Sequence, residues 1–204
     1  MHIVDGALSN PVILGGAALA VGGIAMGLKQ MTLERIPATG ILSASFFVAS
    51  LIHVPIGPSS VHLILNGLAG MILGWAAFPA LFVGLLLQAV FFGFGGLTVL
   101  GVNTLNIAGP AVLAWLLFGG MARRSTPKGA AIWAGAGGAF AIAATTGFVA
   151  FSLALTGEEF LPAAKLVFLA HIPIMVIEAL LTGAAVYLVA KIRPDLFTAV
   201  TGEA

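Results

Sequence analysis

The chain has 204 residues, of which 60% are hydrophobic and 7% charged, with a net charge of +1 and no cysteine. Soluble domains carry about 25% charged residues, so a soluble fold is excluded, and a mean hydropathy of +1.16 requires much of the surface to face lipid. The near-neutral balance gives no nucleic-acid footprint, and without cysteine there is no disulfide framework, thiolate cluster or cysteine nucleophile.

The chain opens with a short, mostly apolar tail, Met1-His2-Ile3-Val4-Asp5-Gly6. No basic region precedes the first apolar run, so no cleaved signal peptide is expected. Met1 is expected to stay, because His2 is not a small residue. Seven transmembrane helices are predicted, at roughly 11–29, 36–54, 60–77, 79–95, 107–122, 128–156 and 160–192. Asn10 and Pro11 give the start signal of the first. Gly57-Pro58-Ser59-Ser60 reads as a loop and cap before the third. The segment from Gly95 to Asn106 is too polar and glycine-rich for a lipid-facing helix. The last two spans are long enough to imply tilt or extension beyond the bilayer.

With an odd helix count, Lys29 and Arg35, then Arg123, Arg124 and Lys128, then Lys191 and Arg193 share one side, which the positive-inside rule makes cytoplasmic. Lys165 alone departs. The N-terminus, the 55–60 loop, the 95–106 segment and Glu158/Glu159 then face outside. The predicted division is a tail over about 1–10 inserted into the outer mouth, a seven-helix domain over about 11–193 and a cytoplasmic tail over about 194–204. Small residues recur four apart at Ala18/Gly22, Gly23/Gly27, Gly40/Ala44 and Ala130/Ala134, a spacing that lets helices approach closely in lipid. Packing within the bundle is the plainer reading of them, and a groove for a partner helix is the sharper one. No internal repeat suggests an inverted-repeat transporter.

The tail carries the chemistry. A terminal amine, the His2 amide and the His2 imidazole Nδ1 close a five- and a six-membered ring around a metal in one plane. Planar nitrogen coordination suits Ni(II) or Cu(II), whereas zinc prefers a tetrahedron. The fourth corner must come from elsewhere. His62, predicted in the first turn of the third helix, is the preferred donor, and His53 at the end of the second is its competitor. A ligating histidine normally donates its other ring N–H to a fixed acceptor. Asp5, Ser60, Asn66, Asn103 and Asn106 are candidates for that role, with His53 as a further supporting group. His171 and Glu178 lie seven apart on one face of the last helix, and an ionisable group at such depth is a functional candidate. A protonated Glu178 bonding a neighbouring helix is the structural alternative. The chain has no G-x-x-x-x-G-K-[ST] loop to hold ATP and no H-E-x-x-H protease motif.

Met1-His2-Ile3-Val4-Asp5-Gly6, Pro55-Ile56-Gly57-Pro58-Ser59-Ser60-Val61-His62-Leu63, Phe94-Gly95-Gly96-Leu97-Thr98, Gly101-Val102-Asn103-Thr104-Leu105-Asn106, and Ile172-Pro173-Ile174 through Glu178 together resemble the CbiM/NikM membrane subunits of cobalt and nickel transporters. The resemblance implies an all-α integral membrane protein, a six-helix S-component core with an extra N-terminal helix and the N-terminus outside. It implies a metal site on the Met1 amine, the His2 amide and ring, and the His62 ring. It further implies an ATP-driven energy-coupling-factor importer in a bacterial or archaeal cytoplasmic membrane. The partners would be a CbiQ/NikQ-like coupling subunit, CbiO/NikO-like ATPases and a small two-helix CbiN/NikN-like subunit. Such a subunit is not an enzyme and keeps no cofactor; Ni(II), and Co(II) beside it, is its cargo. Two rival readings are a proton-coupled metal permease using Glu178 and His171, and a haem-binding redox subunit with paired histidines.

Overall fold

The computed structural model describes residues 2–51, 53–56, 59–157 and 161–194. Met1, Glu158, Glu159 and all but the first residue of the predicted cytoplasmic tail lie outside them. In chain order the elements are α1 (Asn10–Lys29), a 3-10 turn (Leu33–Arg35), α2 (Ile36–Ala49), β1 (His53–Ile56), β2 (Ser59–His62), α3 (Asn66–Leu73), a second 3-10 turn (Gly74–Ala76), α4 (Ala77–Phe92), α5 (Leu100–Ala114), a π turn (Trp115–Gly119), α6 (Gly120–Arg123), α7 (Pro127–Ala154) and α8 (Leu161–Ile192).

Helix dominates because Ala, Leu and Gly-spaced apolar residues satisfy their backbone internally, the only local solution in lipid besides a closed barrel. Five stretches are long and apolar enough to cross a membrane: Asn10–Lys29, Asn66–Phe92, Leu100–Arg123, Pro127–Ala154 and Lys165–Ile192. Their outward faces carry large apolar side chains, such as Leu14, Ile132 and Leu180, each at least 70% exposed in the isolated chain. This is a nearly all-helical, multi-pass membrane protein.

Three sequence expectations are corrected. The predicted third helix does not begin near Ser60: His53–Ile56 and Ser59–His62 are antiparallel strands that pair His53 with His62 and Pro55 with Ser60. The helix proper starts at Asn66 and breaks at Gly74, whose φ of +59° and ψ of −128° leave the helical region. The predicted third and fourth spans are therefore the two parts of one interrupted stretch, and α2, at 14 residues, is shorter than the ~17 needed to cross alone. The segment 95–106 is loop only as far as Val99. From Leu100 it is helix, and Asn103 and Asn106 are buried in the bundle.

The two ends of the bundle differ. At one end the tail, the 93–99 loop and the strand pair meet, and the Ser9 N–H donates to the Thr156 hydroxyl at 3.4 Å. At the other end Arg123 stacks over Trp115 at 5.7 Å and lies near enough to Arg35 for the two charges to repel. Among the small-residue pairs, Gly23 and Gly27 pack against Phe78 and Pro79, and Ala130 and Ala134 are buried. Gly22 and Gly40 meet no neighbour within 4 Å.

Candidate metal centre

His2 arrives on a tail with no regular secondary structure, so side chains must hold it. Asn103, on the first turn of α5, clamps the next residue twice. The Ile3 N–H donates to Asn103 Oδ1 at 2.9 Å, and Asn103 Nδ2 donates to the Ile3 carbonyl at 2.9 Å. Asp5 makes the second anchor. Its N–H donates to the Gly95 carbonyl at 2.8 Å. Its carboxylate accepts from the Thr98 hydroxyl and, at 3.4 Å, from the Val99 N–H. That places a negative charge at the N-terminus of α5, where the helix dipole favours it. The loop is shaped for this visitor: Gly95 and Gly96 have φ of +77° and +127°, and a Cβ on Gly96 would collide with the Asp5 carboxylate.

His62 stands at the end of β2. Its Nδ1 lies 2.7 Å from the Leu63 carbonyl. A carbonyl can only accept, so Nδ1 carries the proton and Nε2 the lone pair. The His2 and His62 rings stack, with centroids 4.7 Å apart and planes 18° apart, and both residues are 3% exposed. Phe94 closes one side, 6.3 Å from the His2 ring. Among the described residues neither ring nitrogen of His2 has a hydrogen-bond partner, although buried polar atoms nearly always find one. Burial is the main force pushing both imidazole pKa values well below the usual 6.5. Both rings are thus held neutral, the form in which imidazole binds a metal.

The other candidates fall into place around this pair. His53 meets Phe94 edge-on at 4.2 Å, and its Nδ1 lies 3.3 Å from the Leu51 carbonyl. Asn66 donates to the Ile107 carbonyl and to Thr145, both at 2.9 Å. Asn106 accepts from the Ser152 hydroxyl at 3.1 Å. None of Asp5, Asn66, Asn103 and Asn106 takes the His62 Nδ1–H; Leu63 does, so these residues anchor the tail or join helices instead. Ser60 enters as a strand residue opposite Pro55. Met1, the expected amine donor, is outside the described residues, among which no three His, Cys, Asp or Glu side chains converge. On α8, His171 Nδ1 turns to its own helix, 2.6 Å from the Val167 carbonyl, and Glu178 turns to the backbone of Ile64 and Leu65. Sequence reasoning missed the Leu63 carbonyl, Phe94 and the Gly95-Gly96 cradle. The adjacent glycines signalled a loop, and nothing in their pattern said that the tail would lie on it.

Residues 2–196 match the family model of CbiM, described as the cobalt uptake substrate-specific transmembrane region. The chain belongs to the CbiM family. A Haemophilus influenzae protein whose name places it in metal transport is 42% identical over 198 residues, 96% of each chain. The fused nickel transport protein NikMN of Rhodobacter capsulatus is 38% identical over 122 residues, 56% of this chain and 35% of that one. The crystal structure of a truncated transition metal transporter superposes with a TM-score of 0.73 at 27% identity, covering 94% of this chain and 99% of that one. As a CbiM-family chain, the protein is a substrate-specific membrane component of metal uptake and not an enzyme.

Proposed function

We propose that this chain captures Ni(II), with Co(II) as a second cargo, at its outer mouth for an ATP-driven energy-coupling-factor importer. The observation that carries this reading is the pair of buried, stacked imidazoles of His2 and His62, with both His2 ring nitrogens unpartnered among the described residues. The Met1 amine, the His2 amide, His2 Nδ1 and His62 Nε2 then form the four corners of a planar nitrogen site, a field that suits Ni(II). Amine and amide must shed protons on binding, so capture releases protons and weakens in acid. The metal joins the tail to the strand pair and thereby locks the tail over the mouth.

The basic end, with Arg35 and Arg123, is the cytoplasmic side of a bacterial or archaeal inner membrane under the positive-inside rule, and the N-terminus is outside. A CbiQ/NikQ-like subunit couples the bundle to CbiO/NikO-like ATPases, with a CbiN/NikN-like helix pair beside them. Nucleotide-driven motion of these partners tilts the bundle and opens the mouth inward. A permease driven by protons through His171 and Glu178 is the second reading; His171 Nδ1 and Glu178 Oε1 are committed to backbone, which leaves only one atom of each for such a relay.

Acetylating the Met1 amine tests the site. The blocked nitrogen can no longer anchor the five-membered ring as an amine. Ni(II) affinity is expected to fall at least about 100-fold, beyond what loss of a supporting partner brings, and the yellow absorption band of planar Ni(II) should vanish. Binding at full affinity would remove the amine from the ligand set.

A further inference from the structure

Glu178 is fully buried on α8, and the four proposed metal donors do not include it. Its Oε1 accepts from the Ile64 N–H at 2.5 Å and from the Leu65 N–H at 2.8 Å. Those amides belong to the bend that joins β2 to α3. Leu65 is the residue just ahead of α3, and its own side chain makes no capping bond to that helix. It is the one non-glycine among the described residues with positive φ, at +54°. A left-handed leucine is unfavourable because its Cβ crowds the following carbonyl oxygen, and such strain persists only where the surroundings hold it. Here the holding group is a carboxyl 113 residues further along the chain. Leu63 precedes these two amides directly, and its carbonyl takes the His62 Nδ1–H.

We propose that Glu178 is a positioning residue for His62. It pins the bend at Ile64 and Leu65. The bend aims the Leu63 carbonyl, and that carbonyl fixes the tautomer and plane of the imidazole, leaving Nε2 to the metal. The role demands an acceptor oxygen and not a charge. Through it α8, which supplies no metal donor, reaches the site. The inference rests on the reading of His62 as a metal ligand.

The test uses the full chain in lipid nanodiscs, titrated with NiCl2, with the visible spectrum and the ¹⁵N spectrum of labelled histidine as further readouts. Glu178→Gln keeps Oε1 and is expected to bind within about twofold of the unaltered protein, with the same band. Glu178→Ala strips the acceptor from two buried amides. It is expected to bind about 10–100-fold more weakly, as loss of such supporting partners typically does, and to lose the single Nδ1–H tautomer at His62. A folded Glu178→Ala that keeps affinity and tautomer overturns the proposal. So does a Glu178→Gln that falls at least tenfold, since that would assign the role to charge or to the carboxyl proton. If Glu178→Ala does not fold, Glu178→Met, which fills the volume without an acceptor oxygen, takes its place with the same expected losses and the same overturning result. His62→Ala separates the two claims: if it binds Ni(II) normally, the underlying site reading fails as well. If it loses binding while Glu178→Ala keeps it, only the positioning role fails.

Discussion

The mouth that receives His2 and the seam between α7 and α8 are both buried, yet they are built from opposite materials. At the seam, helices touch through missing side chains. A Cβ on Gly135 would sit 2.9 Å from the Ala179 carbonyl, and one on Gly183 would sit 2.9 Å from the Ala131 carbonyl. Such close approach is how helices associate where lipid removes the hydrophobic drive between them. At the mouth, a strand-less tail is held by a few directional bonds from Asn103 and Asp5. The seam therefore tolerates changes of chemistry but not of volume. The mouth depends instead on which groups donate and which accept.

The sharpest way to break that contrast is Asn103→Leu, which keeps the size of the side chain and removes both bonds to Ile3. Two buried backbone groups lose their partners, and the tail should leave the mouth instead of the bundle unfolding. Ni(II) affinity is expected to drop about 100-fold, with the melting temperature lowered by no more than about 4 °C. Calorimetric titration and a thermal melt of the same sample check it. A large fall in melting temperature with unchanged affinity would make the clamp part of the core.

The converse change is Gly183→Val, one and a half turns beyond Glu178 on α8. Here volume is added against the Ala131 backbone, which cannot give way. Overpacking of this kind costs about 1–3 kcal/mol. Stability should fall by that amount in denaturant, while the folded fraction binds Ni(II) within about twofold of normal. A weakened site with intact stability would mean that the seam shapes the mouth directly, and the two regions would not be separable.

The same division governs how much the sequence could tell. The membrane class was readable because it is a bulk property, 60% hydrophobic against 7% charged. A coordination argument points from sequence to a meeting of His2 and His62, a tail offering three nitrogens and few imidazoles left for a fourth, and the two rings do stack, with centroids 4.7 Å apart. The strand pair was not readable. His53–Ile56 and Ser59–His62 are four-residue runs on either side of a Gly-Pro pair, too short for periodicity to tell a strand from a helix start. The helical course of Leu100–Asn106 was hidden for a different reason. Asn103 and Asn106 look too polar for lipid, but Asn103 is clamped to Ile3 and Asn106 Oδ1 accepts from Ser152, partners 100 and 46 residues away that no local pattern encodes. The Glu178 contact with Ile64 and Leu65 is equally remote, so sequence could mark it as significant without saying what it touches.

The smallest effect, and the one that separates tail docking from metal binding, is the response of the metal-free protein to acid. In the docked state His2 and His62 have pKa values pushed well below 6.5 by burial, whereas a released tail returns His2 to its ordinary value. The released state therefore binds more protons between the two values. Docking is at full strength above pH 6.5 and weakens as pH falls from there toward the depressed values, by up to about 1.4 kcal/mol per pH unit for each ring that becomes accessible. The Ile3 amide reports it, because that N–H is held by Asn103 only while the tail is docked. Its hydrogen exchange, corrected for the intrinsic rate, should accelerate up to about tenfold per unit below pH 6.5 if His2 alone is released. Amides in the α7–α8 seam should stay flat over the same range, since no histidine lines the seam glycines. His2→Phe keeps a stacking ring and removes the titrating group, so it should flatten the Ile3 profile. An Ile3 amide whose protection does not change between pH 7 and pH 5 would mean that its protection does not depend on keeping the two buried rings neutral.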